Sequence, residues 1–163
     1  MKKIYPLDRL KAIIEKRKQE GDRIVLANGC FDLIHVGHIR YLKESKKKGD
    51  VLVVALNSDA SVRRLKGRGR PILLEKDRGD IIASFYFVDY VTFFDEDRVE
   101  KVLRVLKPHV HAKGSDYTVN TVPERATVKK MGGEIAITGG PKVKSTSEII
   151  QEIAAKCVNE NEP

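Results

Sequence analysis

Between residues 24 and 47 the chain changes its hydrophobic period, and that change limits the folds open to it. Ile24, Val25, Leu26 and Ala27 make a short continuous apolar run, as a strand buried on both faces does, and the turn formers Asn28 and Gly29 end it. From Val36 onward Ile39 and Leu42 fall on one stripe, while Lys43, Glu44, Lys46 and Lys47 fall on a charged outer face, the pattern of a helix. The run Asn28-Gly29-Cys30-Phe31-Asp32-Leu33-Ile34-His35-Val36-Gly37-His38 therefore joins a strand to a helix and carries two histidines around a glycine. A helix start presents unpaired N–H groups and a partial positive charge, and imidazoles three residues apart lie on one face there. Such a junction suits a phosphate held during a reaction.

A helix start with two surface histidines would look the same in isolation. The preceding strand, the following helix and Gly29, placed where the backbone must turn tightly under a ligand, favour the phosphate reading. Zinc is the other rival. The only cysteine near the pair, Cys30, lies inside the turn, and no carboxylate stands at a standard ligand spacing, so the sequence marks no metal ligands.

The remaining chain alternates strands with helices. Residues 51–56 form an apolar run suited to a strand covered on both faces, and 90–94 form the next. Val99, Val102, Leu103 and Leu106 mark a helix that stops at Lys107-Pro108. Residues 110–112 and 134–138 read as the last two strands, with a helix over about 124–131 closed by Gly132-Gly133. A leader helix covers residues 7–20, and a final helix begins at Ser145-Thr146-Ser147-Glu148, whose hydroxyls can cap free N–H groups. The expected fold is α/β, a doubly wound, Rossmann-like parallel sheet of five strands in one domain over 1–157, with residues 1–22 as its leader and a disordered polar tail over 158–163. In such a sheet ligands bind beyond the carboxyl ends of the strands, so residues 28–38, 57–59, 113–117 and 139–147 should converge on one cleft.

Lysine and arginine number 31 against 23 acidic residues, a formal charge of +8 that attracts anions of some kind. Arg63, Arg64, Lys66, Arg68 and Arg70 cluster in a glycine-containing stretch after the second strand, where a mobile loop could fold over a triphosphate. Lys46, Lys47 and Lys48 need no ligand, since they sit where a helix end favours positive charge. Aromatic residues make up 6% of the chain, few stacking platforms for nucleic acid, and no RNA-binding motif is present. The two cysteines give no disulfide framework, the start Met1-Lys2-Lys3 runs into charged residues, and no long apolar run offers a membrane span. The cytoplasm is the expected compartment.

The histidine segment resembles the signature of the nucleotidyltransferase superfamily, whose members join a nucleoside triphosphate to a phosphorylated acceptor and release pyrophosphate. Residues 56–67, from Leu56-Asn57-Ser58-Asp59 to Lys66-Gly67, and then Arg70-Pro71-Ile72 are similar to one branch, the D-glycero-beta-D-manno-heptose 1-phosphate adenylyltransferases. That branch occurs alone or as the C-terminal half of a bifunctional ADP-heptose synthesis protein. Val88-Asp89-Tyr90-Val91, Lys107-Pro108, Lys113-Gly114-Ser115-Asp116-Tyr117, Gly132-Gly133-Glu134 and residues 145–150 extend the similarity over nearly the whole chain.

The resemblance implies an adenylyltransferase that uses ATP, with Mg2+, on a heptose 1-phosphate. It implies that His35 and His38 stabilise the α-phosphate oxygens and that Lys66 and Arg78 draw on the triphosphate or acceptor. Asn28, Gly29, Cys30, Phe31 and Gly37 would lie against the nucleotide, together with Lys113, Gly114 and Asp116; Asp116 reads equally as a turn residue before Tyr117. Ser145, Thr146 and Ser147 would bind the departing phosphates. Asp32 would brace the turn or meet magnesium-bound water, and Asn57, Asp59 and Arg70 would join it on the substrate or phosphate side.

With 163 residues the chain is too short to hold a kinase half, so a separate heptose kinase is expected to supply the substrate. The family is commonly dimeric, and Phe85, Tyr86, Phe87, Tyr90, Phe93 and Phe94 gather rings that would favour a homodimer if left exposed. Relatives that transfer cytidylyl groups to glycerol phosphate often carry an arginine shortly before their Ser-Thr-Thr group. This chain has Gly139-Gly140-Pro141-Lys142-Val143-Lys144 there, and the likeness also fades over residues 118–125, which leaves a cytidylyltransferase acting on an alcohol phosphate as the alternative.

Overall fold

The computed structural model describes residues 3–141 and 144–159. Five parallel strands, β1 (Ile24–Gly29), β2 (Val51–Asn57), β3 (Tyr90–Phe94), β4 (Val110–Gly114) and β5 (Glu134–Thr138), form one sheet in the order β3-β2-β1-β4-β5. The helices are α1 (Leu7–Gln19), α2 (Val36–Lys46), α3 (Asp59–Lys66), α4 (Glu75–Ser84), α5 (Glu100–Leu106), α6 (Arg125–Lys130) and α7 (Thr146–Asn159).

Side-chain alternation along the strands sends successive residues into two separate cores. Val25, Ala27, Leu52, Val54 and Leu56 pack against Tyr41 and Leu42 of α2 and Ile82 of α4 on one face. Ile24, Leu26, Val51, Val53 and Ala55 pack against Leu10 and Ile14 of α1 and Val102, Leu103 and Leu106 of α5 on the other. Every residue of β2 is buried, which is why its run is apolar without alternation. At the β3 edge the Tyr5 N–H donates to the Val91 carbonyl and the Val91 N–H donates to that of Lys3, so the leader covers that edge.

One helix, α3, takes up the first half of the basic run that reads as a loop in the sequence. α3 begins at Ser58, whose hydroxyl accepts the Ser61 N–H, and ends at Gly67 with φ +87°. Arg63, Arg64 and Lys66 are therefore on a helix, and only residues 67–74 form a loop before α4. The ring cluster is largely core: Phe87 and Phe94 are buried, Phe85, Tyr90 and Phe93 are half-buried, and Tyr86 alone of the six is exposed, at 80%. α7 runs to Asn159 and so takes up the first two residues of the tail expected over 158–163; residues 160–163 lie outside the described residues. No helix among the described residues is long and apolar enough to cross a membrane.

Candidate active site

Strand order places the switch point of this sheet between β1 and β4, where successive connections leave in opposite directions. A cavity of about 740 Å³ opens there beyond the carboxyl ends of the strands. The segments after β1, β2, β4 and β5 all reach it, as the parallel topology requires. Of the residues expected in the site, Asn28, Gly29, Cys30, Phe31, Asp32, His35, Gly37, His38, Asn57, Lys66, Arg70, Lys113, Gly114, Asp116, Ser145, Thr146 and Ser147 line this one cavity.

The turn from β1 into α2 is shaped by Phe31, which adopts φ +48° and buries its ring. A Cβ on Gly29 would sit 3.1 Å from that ring, so glycine lets the two pack closely. His35 is the N-cap of α2, and its Nδ1 accepts the Gly37 N–H at 3.1 Å. A neutral ring that accepts at Nδ1 carries its proton on Nε2, so His35 offers an N–H donor. The His35 and His38 rings stack with centroids 3.9 Å apart. Burial, and then the neighbouring His35, push the His38 pKa down to about 4, and burial also lowers that of His35. Both rings are neutral near pH 7.

Asp32 is buried and fully engaged. It accepts Arg70 Nε at 2.6 Å and the N–H groups of Ile72 and Leu73 at 2.8 and 3.0 Å. Burial alone would raise its pKa, but the Leu73 and Ile72 N–H groups and Arg70 outweigh that and hold it below the usual carboxylate range. Asp32 thus braces the turn by tying the loop 67–74 to it, and Arg70 is neutralised as it enters the cavity.

Arg78 and Asp59 require correction as direct substrate contacts. Arg78 is 0% exposed and lies outside the cavity lining; it donates to the carbonyls of Cys30 and Leu73 and to Asp59 at 2.8 Å. A single buried guanidinium thus joins the His turn, the loop before α4 and the start of α3. Asn57 is spent in part on Ser61, to whose hydroxyl it donates at 2.9 Å.

At the far side, Ser145 and Glu148 form a reciprocal cap: the Ser145 N–H donates to Glu148, and the Glu148 N–H donates to the Ser145 hydroxyl. The Thr146 hydroxyl donates to the Leu33 carbonyl at 3.1 Å, which docks the start of α7 on the His turn. Lys142 and Val143, in the stretch where cytidylyl-transferring relatives often carry an arginine, lie outside the described residues.

Several lining residues escaped the sequence reading. Tyr41 is buried beneath the turn and donates to the Ala112 carbonyl at 2.9 Å. Asp97 and Arg98 reach the cavity from the segment after β3, and Asp97 is paired with Arg64 at 2.8 Å. Glu124, buried at 3% exposure, faces Lys113 at 3.4 Å. With Arg70 held by Asp32 and Lys113 by Glu124, Lys66 and Arg98 are, among the described residues, the lining cations with no such buried carboxylate beside them. Tyr41 was missed because the buried face of α2 is Tyr41, Leu42 and Ser45, whereas Ile39, expected on that face, is exposed; Arg98 and Glu124 sit among charged and turn residues and carry no periodicity.

The family model described as cytidylyltransferase-like matches residues 26–152. The chain is 46% identical over 93% of its length to "Bifunctional protein HldE" of Pelobacter propionicus and 48% identical over 93% to that of Geobacter metallireducens. It spans about a third of the length of these relatives, 31% of each. Among solved structures, a lipopolysaccharide core biosynthesis protein from Thermoplasma volcanium is 34% identical with a TM-score of 0.62, covering 72% of this chain and 94% of that one. A pantoate-beta-alanine ligase from Francisella tularensis shares the fold at a TM-score of 0.61 and 14% identity, over 90% of this chain and 69% of that one.

Proposed function

Because the chain belongs to the cytidylyltransferase-like family, we propose that it is an adenylyltransferase that converts ATP and D-glycero-beta-D-manno-heptose 1-phosphate into ADP-heptose and pyrophosphate. The observation that carries this reading is the stacked, neutral histidine pair at the mouth of α2, set in the switch-point cavity. The choice of acceptor rests on the resemblance to the heptose branch and on the match to the bifunctional relatives. A kinase acting before it, separate or fused, would supply the sugar 1-phosphate.

The chemistry needs no protein nucleophile. An acceptor phosphate oxygen attacks the α-phosphorus, that P–O bond forms as the bond to the bridging oxygen breaks, and pyrophosphate leaves in line. The enzyme supplies alignment and charge neutralisation. His35, through Nε2–H, and His38 donate to the α-phosphate oxygens, where negative charge builds in the transition state. Lys66 and Arg98 hold the anionic groups on the β2 and β3 side, and Ser145, Thr146 and Ser147 receive the leaving pyrophosphate.

Magnesium is expected to arrive with the triphosphate. Among the described residues no three His, Cys, Asp or Glu side chains gather as metal ligands, and Asp32 is consumed by Arg70 and two N–H groups. The residues do not fit a protein-held ion, and no step is assigned to one. A homodimer belongs to the same reading, supported by the family resemblance and by the exposed Tyr86 ring. Incubation with each of ATP, CTP, GTP and UTP against a panel of sugar and alcohol phosphates, followed by pyrophosphate release, tests the proposal. Preference for CTP with glycerol phosphate would replace it by the cytidylyltransferase alternative.

A further inference from the structure

We propose that the Glu124 carboxylate is a specificity-determining residue that receives a hydroxyl of the nucleotide's ribose. Glu124 lines the cavity yet is 3% exposed, and its Oε2 makes no hydrogen bond within the described residues. Capping does not explain it, because Glu124 occupies the N-cap of α6 without a side-chain hydrogen bond to that helix. A buried carboxylate oxygen without a donor is costly, and a donor brought by a ligand offsets that cost.

The identity of that donor follows from the surroundings. Lys113 Nζ stands 3.4 Å from Glu124 Oε2 and 3.4 Å from Asn28 Oδ1, so the carboxylate already has its countercharge. The pair as a whole is neutral, which disfavours a phosphate there and leaves a neutral donor as the fitting partner. Position then selects the ribose. The link through Lys113 to Asn28 puts Glu124 beside the end of β1, next to the turn that holds the histidines. In a nucleotide whose α-phosphate lies at those histidines, the ribose is the part attached directly to it. The cations left for acceptor and triphosphate, Lys66 and Arg98, come from the segments after β2 and β3, on the other side of β1.

The inference rests on the proposed function in taking the ligand to be a ribonucleoside triphosphate whose α-phosphate lies at His35 and His38, and its test needs no acceptor. Calorimetric titration of the whole chain with magnesium and ATP, 2′-deoxy-ATP or 3′-deoxy-ATP should show ATP bound about tenfold to a hundredfold more tightly than one of the two deoxy analogues. Glu124→Met, of similar length but without an oxygen acceptor, should abolish the preference, so that ATP and that analogue bind alike. Glu124→Gln, which keeps a neutral acceptor, should retain part of the preference; it also serves if the Met variant fails to fold. A preference for ATP over that analogue undiminished in the folded variants would overturn the inference. So would an equal loss for all three nucleotides, which would assign Glu124 to the base or to positioning Lys113. If ATP binds with this pattern but no heptose phosphate is turned over, the ribose contact stands and the acceptor assignment alone fails.

Discussion

At the scale of single residues, the site depends on histidines that stay uncharged. The His38 pKa lies at about 4 in the folded chain against an ordinary value near 6.5. The unfolded chain therefore binds more protons than the folded one between those values, and the stability contributed by burying this ring is present above pH 6.5 and lost as pH falls toward 4. Imidazole NMR titration should find His38 half-protonated near pH 4 and His35 below 6.5; a midpoint for His38 at or above 6.5 would remove the neutral-donor argument. Replacing His35 or His38 by Ala should cut turnover by roughly 10² to 10³ with modest change in nucleotide affinity, since each removes a donor that matters most in the transition state. Rapid-quench kinetics beside equilibrium nucleotide binding separates the two effects, and normal turnover in both variants would end their catalytic assignment. The histidines were legible because the residues before and after them switch period. Arg78 was misplaced because sequence gives its charge but not its burial, and a lone buried guanidinium serving three carbonyl or carboxylate groups leaves no pattern along the chain.

At the scale of elements, the loop 67–74 is the segment poised over the cavity, held by Asp32 through Arg70 and the Ile72 and Leu73 N–H groups. Asp32→Asn weakens the bond to Arg70 and leaves one acceptor oxygen for three donors. Hydrogen exchange at Ile72 and Leu73 should accelerate at least about tenfold in that variant, the loss of roughly 1.5–3 kcal/mol expected for a hydrogen bond to a charged group. Exchange at the wild-type rate would show that Asp32 does not hold the loop. The helix preceding this loop was hidden from sequence reading by its composition. α3 buries only Ser61 and Val62 while Arg63, Arg64 and Lys66 face solvent, so its apolar stripe is too short to display a 3.6-residue period. Its boundaries were nonetheless written in Ser58 and Gly67, the cap residues at its two ends.

At the scale of the whole molecule, the central strands were legible because parallel strands buried on both faces read as continuous apolar runs, as in β1 and β2, while β4 carries His111 and the edge strand β5 is only partly buried. The strands extend one or two residues beyond those runs, into Asn28, Gly29, Asn57, Lys113 and Gly114, which are polar or small because they already face the cavity. Tertiary packing decided the fate of the rings around Phe87, and sequence alone offered no way to separate Tyr86 from its neighbours. Sedimentation at micromolar concentration should give a dimer mass, reduced toward that of the monomer in Tyr86→Lys if this face carries the contact; a monomer across the accessible range contradicts the dimer. The adenylyltransferase assignment is tested most directly by ³¹P NMR of the wild-type chain at high enzyme concentration with ATP, magnesium and D-glycero-beta-D-manno-heptose 1-phosphate. ADP-heptose and pyrophosphate growing in equal amounts at the expense of the α-phosphate signal of ATP is the predicted result, whereas intact ATP, or ADP released in place of pyrophosphate, would contradict it.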